Sequence, residues 1–378
     1  MKELQKFFHK KTENISFIEL KPNSKVYIKD YRIDPEIPLP LIIDELIKEI
    51  KDGKATDEVK ISSIIRGMIY LIGADPEFKY SQQYKDILYY YDEKIEDYIL
   101  YTGLKKINEN ALDEGMIWLR ALYYINNKNL MGKYNYALAL EEKAKRLFTA
   151  NNSKLGNVFL NCSTNVFEEI VDDDPSFDLA YYKLGYHYKN SQQYIKSSLM
   201  WEKYLQLGKD DDMLNEIREN LDNMKDDVVY EEGYNLVLLG KPEAGLEKLL
   251  PLKEKYVDWW NLFFMIGLAY RQMGMYEEAL EEFETVLDFV PNQVDALNEL
   301  GLCQAFLGRY SEAISSFTKA IELKPQDYEI KCNRGMTYLQ INDIENAEKD
   351  INAAYEQCST DEITILCKQE LEKIKSMA

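Results

Sequence analysis

Gly233, Gly267, Gly301 and Gly335 stand 34 residues apart in the C-terminal half of this 378-residue chain. A fixed period of that length means one supersecondary unit copied in tandem, and each copy must bury its apolar face on its neighbours. Such an array grows by stacking, so it offers an extended binding surface before it offers a catalytic pocket. No other feature limits the possible folds as strongly.

The residues around the glycines repeat with them. From Trp260 the chain reads Phe263, Ile266, Gly267, Tyr270, Gly274, Tyr276, Ala279, Phe283, Pro291. The next copy reads Leu297, Leu300, Gly301, Gln304, Gly308, Tyr310, Ala313, Phe317, Ala320, Pro325, and a third runs from Lys331 through Gly335 and Tyr338 to Ala354. Within each copy the apolar positions fall at spacings of three and four, the stripe of an amphipathic helix. Gly274 and Gly308 are expected to end a first helix, where a positive φ costs glycine little. Pro291 and Pro325 are expected to end a second helix. Each unit is therefore read as two antiparallel helices, with Gly267, Gly301, Ala279 and Ala313 allowing close approach.

This pattern resembles the tetratricopeptide repeat, whose signature runs from an aromatic through Leu-Gly and Tyr to Ala, an aromatic, Ala and Pro. The copies at 260–293 and 294–327 carry the resemblance most fully. The copy at 328–361 departs from it, with Lys331 and Arg334 at usually apolar places and Cys358-Ser359 in place of the proline. The copy at 226–257 keeps Gly233 and Gly240 but has Pro242 and Gly245 where Tyr and Ala are usual. Tyr181, Leu184, Gly185, Tyr188, Tyr194 and Trp201 fit a further copy at 178–211. The longer step from Gly185 to Gly233 leaves room for a longer or an added helix near 212–224, opened by Asp210-Asp211-Asp212.

The resemblance implies an all-α fold, a right-handed α-solenoid of antiparallel helix pairs. Residues 176–361 are assigned to the array and 362–378 to a C-terminal capping helix, which such stacks need over their last apolar face. Residues 57–175 are read as divergent helical repeats. One copy, suggested by Gly103, Gly115 and Leu119, lies at 96–129. An expanded one lies at 130–175, with a long loop around Asn151-Asn152-Ser153. Residues 1–56 form a distinct N-terminal segment that matches no pattern. Its runs ISFIEL and KVYIKD read as a hairpin or as a pair of extended arms. Pro35, Pro38 and Pro40 then predict a stiff linker before a helix LIIDELIKEI, with further helices at 57–73 and 80–91.

Composition and charge narrow the function. The N-terminus has no sustained apolar run, and no stretch approaches the ~18 apolar residues of a membrane span. The five cysteines form no CxxC pair, which suits a reducing cytoplasm, and Cys303 and Cys332 are expected to pack as small apolar side chains. A formal net charge of −20 argues against nucleic acid and anionic membrane, and favours a basic protein or peptide partner. The competing account is that the acids solvate outer helix faces, as in EEALEEFE.

Catalytic patterns are thin. His9 and His187 lie far apart with no nucleophile motif beside them, and His187 is read as structural or at the surface. Gly233 to Gly240-Lys241 has the wrong spacing for a phosphate loop, and Pro242 stands in the Ser/Thr place. Asp172-Asp173-Asp174 and Asp210-Asp211-Asp212 lack the glycine and distal glutamate of a calcium loop, so helix capping is the better account. No metal or cofactor is expected, and a non-enzymatic role is favoured.

In tetratricopeptide arrays the first helices line a concave groove that holds a peptide or a partner helix. The stripe beside each packing stripe supplies its residues. Here that projection gives Tyr182, Tyr186 and Lys189, then Tyr230 and Tyr234, then Asn261, Phe264, Leu268 and Arg271, then Asn298 and Leu302, with Cys332 and Met336 following. Tyrosine suits such recognition through wide contact at small entropic loss. The alternative is that these side chains only pack on the adjacent unit or on the added helix. Phe264, Leu268, Glu299, Glu329 and Asn333 occupy the places where chaperone-binding repeats carry a basic carboxylate clamp, so that specialisation is disfavoured.

The favoured reading is a non-catalytic scaffold or adaptor that binds a peptide or helix in a Tyr-rich groove. A second is a bacterial regulator sensing a short peptide through its solenoid. A third attaches the scaffold to an N-terminal enzyme unit, for which residues 1–95 supply no motif.

Overall fold

A computed structural model describes residues 2–29, 31–52 and 59–377. The first two residues of the helix expected at 57–73 and Asp30 of KVYIKD lie outside the described residues. The chain divides into two compact units, Met1–Gln192 with Lys196–Ile217, and Gln193–Ile195 with Arg218–Ala378. Helices dominate both, and the antiparallel pairs expected from the period are present.

In the second unit the pairs are α12 (Lys225–Leu238) with α13 (Pro242–Lys255), α14 (Trp260–Gln272) with α15 (Tyr276–Phe289), α16 (Val294–Phe306) with α17 (Tyr310–Leu323), and α18 (Tyr328–Gln340) with α19 (Ile344–Gln357). The closing helix α20 (Glu362–Met377) packs on both α18 and α19. Asp327 and Asp343 cap α18 and α19 through their carboxylates, and Pro242 opens α13, where a missing N–H costs nothing.

The periodic glycine makes room for a side chain sixteen residues on. A Cβ on Gly267 would lie 2.8 Å from the Phe283 ring, on Gly301 2.7 Å from Phe317, on Gly335 2.7 Å from Ile351, and on Gly233 2.6 Å from Leu249. The same relation joins Gly185 to Trp201 and Gly103 to Leu119 in the first unit. Each large side chain of a second helix thus seats on the bare backbone of its first helix. Phe283, Phe317 and Trp201 are fully buried there, a burial worth roughly 2–3 kcal/mol for a Phe.

A second period follows seven residues after each glycine. Gly240, Gly274 and Gly308 take φ of +70° to +76°. Asn110, Gln192 and Asn342 hold the corresponding left-handed position with φ of 63°, 58° and 60°. Asparagine tolerates that region through its short polar side chain, whereas glutamine does not. Gln192→Gly is therefore expected to raise stability by about 0.5–1 kcal/mol, read as a higher urea midpoint; an unchanged or lowered midpoint would contradict the strained turn.

The divergent copy at 328–361 keeps its fold by exchanging an apolar contact for a polar one. Arg334, where Ile266 and Leu300 stand in earlier copies, donates to Asp350 at 2.7 and 2.8 Å and to Thr318 at 2.9 Å. Asp350 is buried and Arg334 half-buried, and their fork-to-fork geometry satisfies both charges.

In the first unit α5 (Ile95–Asn108) pairs with α6 (Leu112–Ile125) and α9 (Asp178–Asn190) follows; next in the chain come α10 (Tyr194–Leu207) and α11 (Asp211–Asn223), which belong to this unit over 196–207 and 211–217. The region 130–175 differs from its expectation. Its expansion lies in two long helices, α7 (Leu130–Thr149) and α8 (Ser153–Asp173), joined by a tight turn in which Asn151 takes φ 56° and Asn152 caps α8. No long loop exists there, because the asparagines that suggested one are turn and cap residues.

The N-terminal segment is also corrected in detail. The strand β1 (Ile15–Ile18) pairs antiparallel not with the next run but with β4 (Leu39–Ile42), and the short strands β2 (Tyr27–Ile28) and β3 (Tyr31–Arg32) pair with each other. The end of the proline stretch, from Leu39, is thus a strand rather than a linker, while Pro35 sits in a turn, and the helix α2 (Ile43–Lys51) starts two residues later than LIIDELIKEI suggested. Pro40 is tolerated because the sheet has two strands only, so no second ladder needs its N–H. The helix α3 (Ile61–Ala74) packs on β4 so closely that a Cβ on Gly67 would sit 2.0 Å from the Pro40 carbonyl oxygen. The helix α1 (Lys2–His9) is anchored by buried Phe8, whose ring lies 4.2 Å from the Arg120 guanidinium. Arg120 in turn donates to the Gly73 carbonyl at 2.5 Å, capping α3.

His187 is a core residue. Its Nδ1 lies 2.8 Å from Thr164 Oγ1, and its Nε2 lies 3.8 Å from Glu141. Glu141 also meets Lys145 at 2.7 Å and Lys183 at 3.1 Å. Burial raises the Glu141 carboxyl, but His187, Lys145 and Lys183 outweigh it and hold the group well below the usual carboxylate range. A depressed folded-state pKa contributes stability that is complete above the unfolded value of about 4.3 and is lost as pH falls through the folded one. Glu141→Gln is expected to lower the Tm of the first unit at pH 7 and to shrink its dependence on pH below about 4. An acid limb of unchanged steepness would contradict this assignment.

Candidate inner-face site

The stripe projected from the sequence falls on both units. In the first unit it lies on α9 as Tyr182, Tyr186 and Lys189. The Tyr182 hydroxyl donates to Glu216 of α11 at 3.2 Å, and the Tyr186 hydroxyl bonds to the same carboxylate. The two rings meet edge-on at 5.2 Å, and Lys189 lies 5.6 Å from the Trp201 ring. The chain's own added helix therefore takes these hydroxyls.

In the second unit the stripe crosses α12, α14, α16 and α18. Tyr230 is half-buried: its ring stands 4.5 Å from Trp259, its hydroxyl donates to the Asn261 carbonyl at 3.4 Å, and burial pushes its pKa up to about 12. Tyr234, one turn on, is 38% exposed. Phe264 meets Phe283 at 5.7 Å and packs half-buried against the core. Leu268 and Leu302 are half-buried, and Asn261 is exposed.

Polar pairs cross from one first helix to the next. Arg271 forms an ion pair with Glu299, and Asn333 donates to Asn298 at 3.0 Å. Burial raises the Glu299 carboxyl, against the pull of Arg271. The position after Asn298 in this series is Cys332, which is fully buried in one apolar cluster with Cys367 of α20. The stripe thus has two rows. Of the row of Phe264, Asn298 and Cys332, Asn298 bonds to the next repeat and Cys332 packs on α19 and the closing helix, while the row of Tyr234, Leu268, Leu302 and Met336 is only partly buried.

Sequence projection missed Tyr256 and Trp259. They lie on the connection from α13 to α14, where helical periodicity says nothing, and they pack edge-on at 5.4 Å beside Tyr230. Cys303 is fully buried, and burial with the nearby Glu299 pushes its thiol up to about 12. Asp210 caps α11 by accepting from the Met213 N–H at 3.0 Å. In the first unit a cavity of about 1000 Å³ is bordered by Lys10, Lys11, Asp113 and Lys143. There Asp113 accepts from Lys11 at 2.9 Å and from Lys143 at 2.7 Å, so these three charges pair with one another. Among the described residues no helix is long and apolar enough to cross a membrane.

Stacked antiparallel helix pairs with a glycine-keyed first helix define an α-solenoid. The tetratricopeptide-repeat family model matches residues 264–328 and 304–362, and this part of the chain is a tetratricopeptide-repeat array. Among solved structures the chain is similar to YrrB, described as a TPR protein with an unusual peptide-binding site, at 18% identity over 66% of this chain and 97% of that one, with a TM-score of 0.28. It is also similar to PilW, described as a widely conserved type IV pilus biogenesis factor, at 13% identity over 61% and 97%, with a TM-score of 0.39. A third likeness is to the first TPR of Spaghetti (RPAP3) bound to the HSP90 peptide SRMEEVD, at 20% identity over 32% and 94%, with a TM-score of 0.30. No curated protein matches the chain.

Proposed function

We propose that this chain is a non-catalytic protein-interaction module whose second unit holds an extended peptide or a partner helix along the inner stripe. The observation that carries this reading is the outward row of Tyr234, Leu268, Leu302 and Met336. It recurs on four successive first helices at one position per repeat, with Tyr234 exposed and the others half-buried. Repeat solenoids use such continuous faces for binding, and a row of apolar side chains flanked by amides gives both contact area and backbone hydrogen bonding. Asn261, Asn298 and Asn333 supply the amides, and Arg271 lies beside them paired with Glu299.

The acidic surface favours a partner with basic residues, and the unpaired cysteines suit work in the cytoplasm. Tyr182 and Tyr186 have a smaller part in this reading than Tyr234, since Glu216 already accepts their hydroxyls. The test is titration of the full chain with peptides selected from a displayed random library. Peptides that lose binding when Tyr234 and Leu302 are replaced support the reading; peptides indifferent to both overturn it.

A further inference from the structure

We propose that a cavity beside the inner stripe, walled by Tyr256 and Trp259, receives a cationic side chain, lysine or arginine, of the segment that the stripe holds. The inference rests on the inner-stripe reading and specifies the chemistry of one of its contacts. The cavity has a volume of about 360 Å³ and is lined by Asn223, Asp226, Asp227, Tyr256, Asp258 and Trp259. All six belong to the second unit. Its two sides come from the first turn of α12 and from the connection that leads into α14. It adjoins the stripe through Trp259, whose ring contacts Tyr230 at 4.5 Å.

Two properties of the lining select a cation. Every charged group in the lining is a carboxylate, with Asp226 already paired to Lys255, and two of the lining residues, Tyr256 and Trp259, carry electron-rich rings. Carboxylates and ring faces attract the same ligand, because the ring quadrupole is negative on its face. The chain itself shows the combination at work. Lys255 lies 5.2 Å from the centre of the Tyr256 ring and forms an ion pair with Asp226, which also accepts from the Tyr256 hydroxyl at 2.6 Å. Those bonds, from Lys255 and then Tyr256, hold the Asp226 carboxyl below the usual range, so this wall is anionic at neutral pH. One ammonium is thus already seated on the Tyr256 side. Trp259 and the solvent-facing Asp258 line the other side, a ring beside a carboxylate.

A bare metal ion fits less well, since among the described residues no three acidic, histidine or cysteine groups come together as a ligand set. A long side chain ending in an ammonium or guanidinium uses both parts. Its methylenes lie along the aromatic rings, and its head meets the carboxylates.

The test follows the Trp259 indole N–H by NMR in the full chain while single-residue probes are added. The probes are Nα-acetyl-lysine amide and Nα-acetyl-arginine amide, with Nα-acetyl-norleucine amide as an uncharged control of similar length. Saturable shifts are expected with the two cations and not with the control, weakened by added sodium chloride. Asp258→Asn, a change at the surface that leaves the packing intact, is expected to weaken the cation affinity about threefold to tenfold. Equal shifts with the norleucine probe, absence of any shift, or full affinity in Asp258→Asn would each overturn the proposal. The probes are too short to span the stripe, so the cavity can fail while library peptides still depend on Tyr234 and Leu302, and the reverse can hold.

Discussion

Gly301→Leu is expected to destabilise the second unit by about 3 kcal/mol or more, at the upper end of overpacking costs. Even the first carbon of the new side chain would stand 2.7 Å from Phe317 Cε1 and 2.9 Å from Cδ1. The ring cannot retreat. Phe317 is fully buried, packed in one cluster with Leu297, Ala313, Ala320 and Ile330, so α16 and α17 would have to separate. Gly308→Ala is the instructive partner. A Cβ there meets nothing within 4 Å, but φ is +75°, so its cost should be only about 1 kcal/mol and purely conformational. Urea unfolding followed by circular dichroism separates the two. A Gly301→Leu midpoint as high as that of Gly308→Ala would mean that the ring does not fill the glycine's space.

These two glycines also show how far the sequence could be read. The period of 34 was visible because each copy needs a bare backbone at one place and a left-handed turn seven residues later. Both needs select glycine directly. The partner of the bare backbone, sixteen residues on, is Trp, Leu, Phe or Ile according to the copy. Any large apolar side chain fills the gap, so it leaves a weaker mark. Gln192 hides a left-handed turn behind a residue that rarely adopts one.

Other parts were hidden for different reasons. Pro40 reads as a strand breaker, yet it pairs with Phe17 in a two-stranded sheet that requires no donor from it. No local rule joins residues 15–18 to residues 39–42, and the pairing is decided by where α3 packs. Helical geometry alone projects the stripe residues onto the first helices, but it does not give their degrees of exposure. Whether Tyr182 faces solvent depends on the carboxylate of Glu216, carried on a helix outside the repeat. Tyr256 and Trp259 belong to a connection, where sequence spacing gives no direction to a side chain.

The binding prediction follows from that difference in exposure. Tyr234→Ala combined with Leu302→Ala is expected to weaken the affinity of selected peptides tenfold or more, by about 1.4 kcal/mol at least. Helicity should be retained, because Tyr234 is 38% exposed and neither residue fills the space above a glycine. Tyr230→Ala should behave otherwise. Its ring bridges Trp259 and Tyr234, and truncating it opens a void beside Trp259. We expect that variant to lose about 2–4 kcal/mol of stability, so any binding loss it shows will be mixed with unfolding. Titration calorimetry with one selected peptide and a urea melt of each variant keep the two effects apart. If Tyr234→Ala/Leu302→Ala binds as tightly as the wild type while folded, the outward row is not the contact surface. The stripe would then serve only to pack one repeat on the next, as Asn298 already does through Asn333.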